Sequence, residues 1–216
     1  DRLRSRGLGD VYKRQENIPP EGRFIFASNH PLGALDGVAL IRFFGHFYSG
    51  KIKFLVNDLL MHIKPLAPVF LPINKYGSQA KESSLQINNA YESDEQMLIF
   101  PAGLCSRLQH GKIKDLEWKK TFIAKAVQSQ RDIIPIYFEG RNSTFFYRFA
   151  QIRKCIGLKF NIELIYLPDE MFNSKNKTFD IYIGKPIPWQ TFDKSKSLQE
   201  WAQIVKEKVY QIKKNQ

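Results

Sequence analysis

Short apolar runs punctuate this chain, and between them the apolar positions spread out to helical spacing. RFIFAS (23–28), KIKFLV (51–56), PVFLPI (68–73), QMLIF (96–100), DIIPIYF (132–138), KFNIELIYL (159–167) and FDIYIG (179–184) are rich in β-branched and aromatic residues. Their length and their bounding turn residues predict strands. Residues 36–48, 78–93, 118–130 and 198–214 place apolar side chains on one face and predict helices, as does the short stretch from Asn57 to His62. Strands alternating with helices predict an α/β fold with a mixed, largely parallel sheet flanked by helices. In such sheets ligands bind beyond the carboxyl ends of the strands. Three loops follow strands at that end, 29–37, 101–111 and 139–143, and are expected to converge on one crevice.

Composition sharpens this picture in a few places. The chain has 216 residues, 43% of them hydrophobic, enough for one domain with a buried core. Residues 1–15 (DRLRSRGLGDVYKRQ) lack periodicity and are read as a disordered arm or a sequencing scar, with one domain over 16–216. If the stretch is a scar, the natural N-terminus is missing. Two cysteines, Cys105 and Cys155, are too few for a disulfide framework and suit a reducing compartment. No apolar run approaches the roughly 20 residues that span a bilayer. The formal charge of +12 calls for an anionic partner: a nucleic acid, an acidic carrier protein or an anionic membrane surface.

The candidate chemistry centres on FASNHPLGALDG, residues 26–37. Imidazole gains and loses a proton near neutral pH, and a carboxylate on one ring nitrogen fixes its tautomer and makes the other a better base. His30 and Asp36 on a Pro/Gly turn therefore suit a general base for an attacking hydroxyl or amine. The competing reading makes Asp36 a helix cap and His30 a packing residue. No G-x-S-x-G elbow, P-loop or G-x-G-x-x-G occurs. Cys105 is the alternative nucleophile. His30, His46, His62 and His110 lack paired ligand spacing, so no metal is expected. Lys75, Arg107 and Arg141 lie near strand ends, where each could hold a phosphate or simply be solvated. RFFGHFY (42–48) and FFYRFAQIRKC (145–155) mix rings with cations, which suits a lipid interface, an ordinary core, or stacking on single-stranded nucleic acid.

Four blocks in order resemble the lysophospholipid acyltransferases, the glycerolipid acyltransferases of the PlsC type. Asn29, His30 and Asp36 resemble its N-H-x-x-x-x-D block. Val69 to Lys75 resembles its second block, an apolar strand ending in a basic residue. Phe100, Pro101, Ala102 and Gly103 with Ser106 and Arg107 resemble F-P-E-G-T-R-S, and Ile133 to Ile136 its fourth block. The segment Ile183 to Ile187 is also common there, so the resemblance covers residues 22 to 190.

The chain departs from the pattern in three places. Five residues separate His30 from Asp36 where four are usual, Ala102 replaces the glutamate of the third block, and Asn74-Lys75 stands where arginine is common. These variants are most similar to a bacterial subgroup that carries a hemolysin label and is linked to acylation of lyso-aminolipids.

The resemblance implies direct acyl transfer. His30 is the base and Asp36 its partner. Asn29, Lys75, Phe100, Pro101, Gly103, Ser106, Arg107 and Arg141 are expected to bind substrate, with backbone donors near Gly103 at the oxyanion. It further implies acyl-carrier protein or acyl-CoA as the donor, no other cofactor, a lyso-lipid acceptor, and no nucleic-acid partner. The expected location is cytoplasmic, peripheral on the inner face of the cell membrane. A Cys105-dependent thioesterase and a non-enzymatic basic lipid-binding module are the alternatives.

Overall fold

Which way each strand's side chains point decides the layers of this fold. The computed structural model describes residues 11–56, 64–73, 78–158 and 160–213. Its strands are β1 (Val11–Lys13), β2 (Phe24–Ser28), β3 (Ile52–Val56), β4 (Phe70–Pro72), β5 (Gln96–Ile99), β6 (Arg107–Gln109), β7 (Lys112–Lys114), β8 (Asp132–Phe138) and β9 (Asp180–Ile183). The α-helices are α1 (Leu35–Phe47), α2 (Ser78–Glu92), α3 (Thr121–Ser129), α4 (Thr144–Cys155), α5 (Leu167–Phe172) and α6 (Leu198–Gln211).

Seven strands form one sheet in the order β1-β9-β8-β2-β5-β3-β4. From β8 to β4 every pairing is parallel; β9 runs antiparallel to β8 and carries β1 parallel to itself. The expected mixed, largely parallel sheet is what the chain forms. β2 is central and buried at every position, which is why it reads as an unbroken apolar run. Phe24 and Phe26 face α1 together with Ile134, Ile136 and Phe138, against Leu40 and Phe44. Ile25 and Ala27 face the other way with Met97 and Ile133, onto Tyr91 of α2, Phe122 and Ile123 of α3, and Val205 and Val209 of α6.

Arg131, fully buried before β8, shows how the second layer is fixed. Its guanidinium donates to the carbonyls of Tyr91, Glu95, Ala90 and Ser93 at 2.8, 2.7, 3.3 and 2.5 Å. It thereby satisfies carbonyls that the end of α2 leaves without helical partners. Burial lowers its pKa to about 10, so the group stays charged.

Three sequence expectations need correction or placement. KFNIELIYL does not form a strand: Ile162–Tyr166 is a 3-10 helix leading into α5. The reason lies in Glu163, which is fully buried between Arg107 and Arg153 at 2.8 Å each and draws the segment onto β6 and α4, away from the sheet. The arm expected over 1–15 does not extend through Val11–Lys13, whose backbone pairs with Asp180–Tyr182; residues 1–10 lie outside the described residues. So does the helix expected from Asn57 to His62. β6, β7 and α4 carry no separate signal in the apolar pattern of the sequence.

Candidate active site

β2 delivers the site. At its end Asn29 is buried, donating from Nδ2 to the Phe138 carbonyl (2.9 Å) and accepting the Phe138 N–H on Oδ1 (2.6 Å). Both halves of the amide thus tie β2 to β8. The chain then turns through Gly33, whose φ of +86° favours glycine and whose Cα lies against Leu167 of α5.

Asp36 stands in the first turn of α1, where the helix dipole favours an anion. Its Oδ1 accepts the Gly37 N–H at 2.9 Å. Its Oδ2 accepts the Leu32 N–H at 2.9 Å and meets His30 Nδ1 at 3.1 Å. A carboxylate can only accept here, so Nδ1 carries the proton and Nε2 is the free basic nitrogen. The imidazole stacks on Phe100, centroids 3.9 Å apart and planes 17° apart, which fixes its rotation. The side chain of Asp36 is fully buried and that of His30 is 15% exposed. Asp36 is therefore both a first-turn acid and the partner of His30.

A second carboxylate, which the sequence reading missed, holds the backbone around this pair. Buried Asp115 accepts the Ser106 hydroxyl (2.6 Å) and the His30 N–H (3.2 Å) on Oδ1, and Trp118 Nε1–H (2.9 Å) on Oδ2. Ser106 N–H donates to the His30 carbonyl at 2.7 Å. The Asp115 N–H donates to the Tyr210 hydroxyl at 2.8 Å, so α6 braces the loop. Burial raises the pKa of Asp115 and the bonds from Ser106, Trp118 and His30 oppose it. In Asp115→Asn the amide must turn its NH₂ toward one of these donors. The expected cost is about 1–3 kcal/mol of stability, read as a lower melting temperature; an unchanged melting temperature contradicts this role.

His30 opens onto a cavity of about 440 Å³, within the usual range for small-molecule sites. Phe100, Pro101 and Gly103 line it with His30, and Val38, Ile41, Phe54, Phe70, Ile87 and Phe122 supply apolar walls. Gly103 has φ +69°, and a Cβ there would lie 2.8 Å from Lys119 Nζ, so the ammonium sits against this glycine at the cavity wall. The Gly103 N–H closes its own turn onto the Phe100 carbonyl (2.9 Å). That donor is engaged and does not face an oxyanion.

The structure thus brings together His30, Asp36, Phe100, Pro101 and Gly103. Among the described residues, the other expected substrate contacts, Asn29, Ser106, Arg107 and Arg141, are bonded to protein and do not line the cavity. Asn29 serves the sheet, and Ser106 serves Asp115. Arg107 pairs with Glu163, donates to the Cys105 carbonyl (2.9 Å) and sulfur (2.8 Å), and lies over the Phe146 ring. Arg141 is exposed and donates to Thr144 at 3.2 Å. Lys75 lies outside the described residues. Cys105 is buried among Phe146 and Tyr147, and burial pushes its thiol pKa up against the opposing charge of Arg107. RFFGHFY is core on the side of Phe44 and Tyr48. Among the described residues, no group of three His, Cys, Asp or Glu side chains is placed to hold a metal ion.

The chain is similar to several known proteins. A family model described as acyltransferase matches residues 2–216. The chain is 57% identical over 197 residues to a lyso-glycine lipid O-acyltransferase of Bacteroides thetaiotaomicron, covering 91% of this chain and 72% of that protein. It is 54% identical over 200 residues to a protein of the same name from Phocaeicola vulgatus, covering 93% and 72%. The crystal structure of the 1-acyl-sn-glycerophosphate (LPA) acyltransferase PlsC from Thermotoga maritima shares the fold, with a TM-score of 0.57 at 19% identity over 94% of this chain and 72% of that one.

Proposed function

The chain belongs to the acyltransferase family, and on that premise we propose that it moves a fatty acyl group from a thioester to the hydroxyl of a lyso-lipid, with lyso-glycine lipid as the acceptor. The observation that carries this reading is the His30–Asp36 pair set into the wall of an apolar cavity. The name shared by the two relatives supplies the acceptor.

In this reading the apolar walls take the acyl chain, each buried methylene contributing about 0.8 kcal/mol. Nε2 of His30 accepts the proton of the acceptor hydroxyl as its oxygen attacks the thioester carbonyl. A C–O bond forms and the C–S bond breaks. The imidazolium, stabilised by Asp36, then returns the proton to the departing thiolate. No acyl-enzyme, metal or additional cofactor takes part. The donor is acyl-carrier protein or acyl-CoA; both are anionic, and the +12 charge of the chain and Lys119 at the cavity favour such a partner. The acceptor is drawn from the cytoplasmic face of a membrane on which the chain sits peripherally. Among the described residues no helix is long and apolar enough to cross one.

A thioesterase built on Cys105 would need an accessible, easily ionised thiol. Cys105 is buried with a raised pKa and does not line the cavity. Cys105→Ala is accordingly expected to retain acyl transfer, as measured by ester formation; loss of activity with an intact fold supports the thioesterase instead. The acceptor is tested by offering acyl-carrier thioester or acyl-CoA with a panel of lyso-lipids and identifying products by mass spectrometry. The expected product is the O-acylated glycine lipid. Phosphatidic acid as the main product overturns the assignment.

A further inference from the structure

Helix α4 has two apolar faces, and only one is covered, by the cluster around Cys105, Leu108, Ile113 and Leu164. Phe146, Tyr147 and Ala150 point into the molecule. Phe145, Phe149, Ile152 and Ile156 recur at i, i+4, i+7 and i+11, the spacing of a single stripe, and that stripe points outward. Phe145, Ile152 and Ile156 are 54, 59 and 66% exposed. The segment that follows continues the pattern, with Phe160, Ile165 and Phe172 at 80, 76 and 71% and Leu158 also exposed.

Aromatic members of this group meet one another. Phe145 and Phe149 stack with centroids 5.8 Å apart, and Tyr166 meets both rings edge-on at 5.2 and 5.5 Å. Phe145, Tyr166 and Phe172 line one cleft. Scattered exposed leucines are ordinary, but large apolar side chains gathered in this number on one helix and the segment after it mark an interaction site.

The surface is held rigidly. Glu163 is clamped between Arg107 and Arg153, Glu170 is bonded to Ser143, and Arg153 donates to the Leu158 carbonyl at 2.6 Å. It is also basic. Residues 141–177 carry seven Lys or Arg against three Asp or Glu, and of those acids Glu163 is buried and Glu170 engaged. Arg141, Arg148 and Lys154 are exposed beside the stripe. Finally, it adjoins the site: Leu167 of α5 packs on Gly33, which lines the cavity next to His30.

We propose that α4, α5 and the 3-10 helix between them form an interfacial platform. It inserts its outward apolar side chains into an anionic lipid surface and presents the mouth of the His30 cavity to the acceptor lying there. Rings and aliphatic chains on one side of a helix with cations beside them are the composition of a segment that lies in the headgroup region. An acidic protein would be drawn by the cations, but it offers no reason for so many exposed phenylalanines and isoleucines. The proposal rests on the lipid-acceptor reading, and its test separates the two.

Vesicle co-sedimentation with phosphatidylcholine, alone or mixed with phosphatidylglycerol, is compared for the wild-type chain and for the fourfold variant Phe145→Ser, Ile152→Ser, Ile156→Ser, Phe160→Ser. Arg148→Gln with Lys154→Gln forms a second variant. The wild-type chain is expected to bind, more strongly when phosphatidylglycerol is present. The fourfold variant should lose at least about tenfold in partitioning, and the charge variant should lose the phosphatidylglycerol preference. Both should keep their melting temperatures and keep acyl transfer to acceptor dispersed in detergent micelles. Vesicle binding by the fourfold variant equal to wild type overturns the proposal. So does light scattering that shows a wild-type dimer broken by the variant, which assigns the face to a second copy. Capture of acyl-carrier protein lost in the variant, without loss of vesicle binding, overturns it as well. Wild-type vesicle binding without micellar transfer leaves the platform standing and counts against the acceptor reading alone.

Discussion

His30→Ala is expected to lower kcat for acyl transfer by about 10²- to 10⁴-fold while the protein stays folded. In the proposed mechanism the ring takes the acceptor's proton, and among the described residues no other histidine and no carboxylate lines the cavity to replace it. Removing it leaves Asp36 with the N–H groups of Leu32 and Gly37, so the buried carboxylate keeps two donors and the turn keeps its shape. The apolar walls are untouched, and acyl-chain binding should change little. The loss therefore falls on kcat more than on KM. An equal rise in KM with unchanged kcat would place His30 in ground-state binding instead.

Asp36→Asn is the second large effect, and it acts on two properties. The carboxylate serves three groups, two at Oδ2 and one at Oδ1. An amide offers one oxygen. If that oxygen takes the place of Oδ2, the NH₂ opposes the Gly37 N–H. If it takes the place of Oδ1, the NH₂ opposes the Leu32 N–H and makes His30 Nδ1 the acceptor, which leaves the proton on Nε2 and the ring unable to act as base. Either arrangement orphans a buried donor at about 1–3 kcal/mol. The second also costs activity on the scale expected when a histidine is held in the wrong tautomer, about 10²- to 10⁴-fold. Melting curves and steady-state rates measure the two parts separately. Since the residues act as a unit, the double variant His30→Ala, Asp36→Asn should be no slower than His30→Ala alone; additive losses would mean that Asp36 works through another group.

The His30–Asp36 pair was legible in the sequence because both members lie within one turn, and local spacing carries that information. The strands were legible for a related reason. β2 and β8 are buried on both faces, so their apolar runs are continuous and their bounds plain. Long-range partners were not legible. Asp115 reads as an ordinary acid in a polar stretch, since His30 lies 85 residues away and Tyr210 lies 95 away. Glu163 sits in a run that reads as a strand, and only its two arginine partners explain why the run coils instead. The same pairing takes Arg107 out of the expected anion site. A basic residue near a strand end is available to a substrate only if no buried acid claims it first, and that depends on tertiary structure. The α4 stripe follows the same logic in reverse. FFYRFAQIRKC contains enough apolar residues for two faces, but only the fold shows which face is covered.

The most direct test is a mass balance on one reaction. Purified protein is mixed with acyl-carrier thioester and lyso-glycine lipid, and released thiol and new ester are followed together, with His30→Ala and Cys105→Ala alongside. The account predicts one ester formed for each thiol released, both falling together in His30→Ala and both retained in Cys105→Ala. Thiol release without ester, abolished by Cys105→Ala and indifferent to His30→Ala, would contradict it.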